Sequence, residues 1–216
     1  MSPKPAPPTG AMSSVLHLSP TMSSPTPPLL RYGLAYAASC RSGHEMEVPP
    51  PATAANLAAI LNRYPLAPPE LLDLYRHVDG TWPPPSTSGP GLPLFRWPTN
   101  NAASLLPSWA VLDGADFSHP RSRGDKSAGT IGELFDARLP EHFDPRIDPT
   151  VPLSHWLWFG TDGVSTELFI DFHPGPGGVC GQIINPIAGV VYASKFTVFL
   201  DTCVRHYHEL LSAPPS

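Results

Sequence analysis

Two imidazoles and three carboxylates fall within residues 155–173: His155 and His173 with Asp162, Glu167 and Asp171. Brought to one end of a sheet, such a set has the ingredients of a hydrolase site, with His as proton carrier and carboxylates as bases or cation ligands. The spacing argues against that chemistry. Asp162 stands in a Gly160-Thr161-Asp162-Gly163 turn, and neither H-E-x-x-H nor C-x-x-C occurs. His206 and His208 are two apart in a helical pattern and point to different faces, whereas a helical metal pair needs a spacing of three or four. There is no G-x-S-x-G elbow to supply a nucleophile. The GPGGVCG run lacks both the Lys-Ser/Thr pair and the following helix that a phosphate cradle requires, so it is read as a hairpin loop.

The elements that position these residues are legible in the periodicity. Residues 155–159 form an aromatic run, and 160–163 supply a turn. The return strand alternates, with Leu168, Ile170 and Phe172 on one face and Glu167, Phe169 and Asp171 on the other, which predicts a strand with one side buried and one solvated. Further strands are predicted at 182–184 and 190–193. From Phe196 the period becomes helical, through Phe199, Leu200, Cys203, Tyr207, Leu210 and Leu211, with Ser194 as the expected N-cap. Upstream, Leu57, Ile60, Leu61 and Tyr64 mark one helix, and Pro68-Pro69 opens a second carrying Leu71, Leu72, Leu74, Tyr75 and Val78. Asp79-Gly80 turns the chain. Residues 92–97 form a candidate strand, and 105–112 a short element, helical or extended. Trp156 and Trp158 share a strand face, and one or the other is expected to pack the core. Trp82, in a proline-rich loop beside the Asp79-Gly80 turn, is expected at the surface as an interface anchor.

Composition bounds the rest. The chain has 216 residues, 41% of them hydrophobic, enough for one ordinary core, but its 31 prolines cluster outside the periodic segments. Residues 1–52 are Pro/Ser/Thr-rich and are predicted to be a disordered or extended tail, with Met12, Met22 and Met46 as alternative translation starts. Residues 53–213 make a single domain, with a loop-rich insertion near 113–150 and a short helix near 131–135. LLRYGLAYAASC faintly resembles a lipoprotein cleavage site, but it starts late and lacks a proper apolar stretch. No run approaches the roughly 20 apolar residues of a membrane span. Three cysteines make no disulfide framework and favour a reducing, cytoplasmic compartment. Cys203 reads as a small buried hydrophobe and Cys180 as exposed. From residue 56 onward ten basic residues face sixteen acidic ones, a balance of −6, which disfavours nucleic acid and suits a basic partner.

The segments LAPPELLDLYRHVDG, PLFRW, HWLWFGTDGVSTELFIDFHPGPGGVCGQII and VVYASKFTVFLDTCV together resemble the SUKH superfamily, the Smi/Knr-type domain, over residues 53–211. The tryptophan-led strand, the Pro-Gly-rich loop closing on Gly-Gln, and the Ala-Ser-Lys-Phe entry to the last helix carry the likeness. The resemblance implies binding without a cofactor. Bacterial members are largely immunity proteins that neutralise toxins, often nucleases, and fungal relatives are cytosolic scaffolds regulating cell-wall assembly. The fold expected is α+β, a curved, mostly antiparallel sheet flanked by two N-terminal helices and one C-terminal helix. The function expected is stoichiometric inhibition of a cognate toxin with a basic surface, through Asp79, Trp82, Asp162, Glu167, Asp171 and His173. A cell-wall scaffold is the alternative and a His/carboxylate hydrolase the second alternative; the oligomeric state is left open.

Overall fold

The computed structural model describes residues 25–40, 48–81, 93–98, 101–113, 130 and 143–213. The chain is α+β. Helices α1 (Pro28–Cys40), α2 (Ala54–Arg63) and α3 (Pro69–Tyr75) lead into β1 (Phe95–Trp97), β2 (Asn101–Leu105) and helix α4 (Ser108–Asp113). Strands β3 (Trp156–Thr161), β4 (Glu167–Asp171), β5 (Gln182–Asn185) and β6 (Val190–Ala193) follow, and α5 (Phe196–Ser212) closes the described fold. The six strands pair in sequence order, all antiparallel, in one curled half-barrel. The curl is tight enough for its two edges to touch, since the Trp97 ring of β1 lies 5.1 Å from the Tyr192 ring of β6.

The strand periodicity sorts side chains onto two faces. Leu157, Phe159, Leu168, Ile170 and Ile183 point toward the helices and join the main core, where Phe159 meets Phe95 and Phe196 edge-on at 5.3 and 5.2 Å. Helix α5 buries Phe196, Phe199, Cys203 and Tyr207 on one stripe, as its spacing predicts. Its N-cap is Lys195 rather than Ser194, and no side chain caps it. Burial pushes the Cys203 thiol well up, so it behaves as a small hydrophobe.

The opposite face is the first departure from expectation. Trp156, Phe169 and Ile184 are covered there by Ile147 and Val151, with Phe143 and Leu153 packed alongside, in a second core. The covering segment belongs to the region read as a loop-rich insertion. It is tied down by Asp144 N to Gly189 O at 2.8 Å and by Gly175 N to Arg146 O at 2.9 Å. Residues 114–129 and 131–142, including the helix expected near 131–135, lie outside the described residues.

The second departure is α1, which lies inside the tail expected to be disordered across 1–52. Leu29 and Leu30 are 2% and 3% exposed, in the main core. Gly33 is the close-approach point, because a Cβ there would stand 3.2 Å from Leu94 Cδ1 and 3.6 Å from the Tyr207 hydroxyl. Proline abundance concealed a short helical stripe, Leu29, Leu30, Gly33 and Ala37, which gains its burial from α5 and the main core, with Leu94 against Gly33, rather than from its own neighbours.

Candidate interaction surface

With the sheet covered on both sides, β4 has no solvated face, and all five of its residues are buried. Glu167 and Asp171, expected as outward contact points, are 5% and 0% exposed. The correction has a simple cause: alternation assigns residues to faces but does not say whether a face meets water. Each carboxylate is satisfied internally, as burial requires. Glu167 Oε2 accepts from the Trp158 indole N–H at 2.8 Å. Asp171 Oδ1 accepts from His173 N at 2.9 Å, and Oδ2 from Gln182 Nε2 at 2.9 Å. Burial nevertheless raises the Asp171 carboxyl above its ordinary value, outweighing the two donations.

Gln182 is the hub of this buried network. Its Nε2 also donates to Arg146 O at 2.7 Å, and its Oε1 accepts from Val179 N at 3.2 Å. The glycine-rich loop 174–181 is thereby clamped between the covering segment and the start of β5. Two of its glycines are dictated by backbone contact. A Cβ at Gly175 would stand 2.6 Å from Pro145 O, and one at Gly178 would stand 2.8 Å from Arg146 O. Above the network, His155, His173, Pro176, Val179 and Cys180 are exposed. The two imidazole rings stand 5.3 Å apart, and Phe172 N donates to His155 O at 3.0 Å. Asp148 is close enough to His173 for their charges to interact; its carboxyl is lowered mainly by donation from the Thr150 hydroxyl and N–H.

The remaining candidates lie elsewhere. Asp162, at the other end of β4 and about 13 Å away along the strand, accepts from Val164 N, Ser165 N and Thr166 N at 2.7, 2.8 and 2.9 Å. Burial pushes its carboxyl up, but these donations prevail and its pKa is lowered. It is a turn former. His155, His173 and Asp171 therefore converge as the sequence suggested, with Asp148 added, whereas Asp162 and Glu167 do not join them. Asp171 is fully enclosed with both oxygens occupied, so it offers nothing to a substrate. Among the described residues, no group of three or more His, Cys, Asp or Glu side chains is arranged to hold a metal ion.

Asp79 is a positioning residue. Its Oδ1 accepts from Ser108 N at 2.6 Å, capping α4 across 29 residues of chain. Asp79 was expected as a surface contact, where substitution would leave stability nearly unchanged; the cap makes it structural instead. With the cap removed, Asp79→Lys alone is expected to cost about 1–2 kcal/mol, or roughly 3–6 °C by thermal denaturation. Trp82 lies outside the described residues. The exposed tryptophan that sequence reasoning missed is Trp109, 52% exposed on α4. Its signal was the Pro107-Ser108 helix start, which fixes where α4 begins but not which way Trp109 points.

No family model matches the chain, and no curated protein matches it. Among the described residues, no helix is long and apolar enough to cross a membrane.

Proposed function

We propose that this chain is a non-enzymatic binding module, an immunity protein that neutralises a cognate toxin by direct contact in the cytoplasm. The observation that carries the reading is the loop 173–180 with His155, an exposed surface whose backbone is pinned from beneath by the Asp171–Gln182–Arg146 network. A loop ordered before binding loses little conformational entropy on contact, which favours tight stoichiometric inhibition. The balance of −6 from residue 56 onward suits a toxin that must present Lys and Arg to grip phosphates. The α+β architecture and the resemblance to Smi/Knr-type domains support the same reading. An odd count of three cysteines, which makes no disulfide framework, suits a reducing compartment.

The test is co-expression with the product of the adjacent gene, scored by growth rescue and by titration of the purified proteins. Rescue with one-to-one binding is expected. Val179→Arg, at a loop tip 44% exposed, is expected to weaken binding at least about tenfold by like-charge repulsion, with the melting temperature unchanged. Absence of both rescue and binding refutes the toxin reading, and rescue indifferent to Val179→Arg moves the contact to another surface.

A further inference from the structure

His155 directly precedes β3, and His173 stands just past the end of β4. The two strands run antiparallel with Trp156 opposite Asp171, so their register brings together two imidazoles that are distant in the sequence. The ring centres stand 5.3 Å apart with planes at 55°, and both side chains are exposed. The backbone beneath each ring is fixed. Phe172 N donates to His155 O at 3.0 Å, His173 N donates to Asp171 Oδ1 at 2.9 Å, and the loop that follows is held by Gly175 N on Arg146 O. The surrounding charges favour a cation. Asp148 and Asp171 both lie close enough to His173 for their charges to interact, and the Thr150 donations hold the Asp148 carboxyl low, so it stays ionised. Arg146, the one cation in residues 143–153, has its guanidinium on Asp144 at 2.6 and 2.9 Å.

We propose that His155 and His173 together bind one divalent ion of the zinc class at the surface, as a two-imidazole chelate. The spacing fits that ion. With a zinc–nitrogen bond of about 2.0–2.1 Å and a ring centre roughly 1.1 Å behind each nitrogen, two imidazoles on a tetrahedral ion have centres about 5 Å apart. A right-angled, square arrangement would draw them to about 4.5 Å. Because the χ2 torsion of histidine is broad and both rings are exposed, turning a nitrogen of each toward a common point costs little. The pinned backbone leaves only those side chains to be ordered by the ion. Asp148 stands where a carboxylate orients a ligating imidazole from outside the metal's own shell. The Cys180 thiol is not a third donor, being turned to Phe172 O at 3.4 Å. Among the described residues no third side chain completes a site, so water takes the remaining positions and binding is weaker than in a four-donor structural site. Imidazole nitrogen suits Zn²⁺, Ni²⁺ and Cu²⁺, whereas Mg²⁺ and Ca²⁺ require oxygen. The ion would share the surface proposed for the toxin, but its binding needs no toxin.

Isothermal titration of the full chain with zinc chloride, from about 1 μM to about 1 mM, tests this directly. Saturable binding is expected, with none of magnesium chloride over the same range, and the nuclear magnetic resonance signals of the His155 and His173 rings shift as the site fills. His155→Ala and His173→Ala are each expected to lower the affinity at least about tenfold, as much as the loss of an outer partner costs at a metal site. The double substitution costs little more than either single one, since one imidazole cannot chelate. Without zinc, all these variants keep the parent melting temperature, because both rings are exposed. His206→Ala, whose ring faces Glu209 on α5, leaves the affinity unchanged. No saturation by about 1 mM, or an affinity indifferent to both His155→Ala and His173→Ala, overturns the inference and leaves the two rings as a surface contact, whatever the growth-rescue assay gives.

Discussion

A chain begun at Met46 is expected to melt roughly 10 °C or more below the full chain, with broadened side-chain NMR signals around Leu94 and Tyr207. That start removes α1 and with it Leu29 and Leu30, each almost wholly enclosed. Full burial of a leucine contributes about 1.5–3 kcal/mol, so the pair represents roughly 3–6 kcal/mol, and a domain of this size shifts about 2–4 °C per kcal/mol. The deletion also uncovers partners that stay behind. Tyr207 loses the Tyr36 ring, 5.6 Å away, while its hydroxyl keeps the bond to Pro93 O at 2.6 Å. Circular dichroism melts of the two chains decide the matter. Equal melting temperatures would mean that α1 contributes nothing to the core it enters.

The second large effect is expected from Gln182→Leu, which keeps the volume and removes the hub. It takes the donor from the enclosed Asp171 Oδ2, leaving that carboxylate only His173 N, removes the acceptor of Val179 N, and leaves Arg146 O with Gly175 N alone. Losing these bonds while keeping their partners costs roughly 3–5 kcal/mol at neutral pH. The pH dependence follows from the Asp171 shift. Its folded carboxyl already titrates above the unfolded value because burial disfavours the charge, so ionisation weakens the fold as pH rises through the window between the two. Without the Gln182 donor the folded value rises further and the window widens. The stability gap between Gln182→Leu and the parent is therefore expected to be largest near neutral pH and to narrow on acidification toward the unfolded value of about 3.9. Chemical denaturation at several pH values measures it; a gap that is constant or grows in acid would show that Asp171 does not carry the effect.

Much of the order of elements from α2 onward was legible in the chain because local periodicity and turn chemistry set it, whereas α1 and β2 were not. Trp156 to Asp171 reads as a hairpin from its Gly160-Asp162-Gly163 turn, and Phe196 onward as a helix from its stripe. Val190–Ala193 was placed at its observed bounds. The site was less legible. Of the six residues expected to meet a partner, His173 stands exposed on the pinned loop, Asp79 and Asp162 shape turns and caps, Glu167 and Asp171 lie inside, and Trp82 falls outside the described residues. The misplacements share one origin, since a carboxylate beside a turn has the same local pattern whether it caps a distant helix or faces a partner.

By itself, the sequence determined the alternation that puts Phe169 and Asp171 on one side of a strand and Ile170 on the other. It also determined the single enclosed thiol, Cys203, and the acidic balance. Only the tertiary structure decided that the Phe169 side is covered by Ile147 and Val151, that a helix from the proline-rich tail closes over Tyr207, and that Trp109 faces outward. The physical reason is that periodicity is a property of neighbours along the chain. Burial depends on which remote segment comes to lie across a face, and that is settled when the whole chain packs.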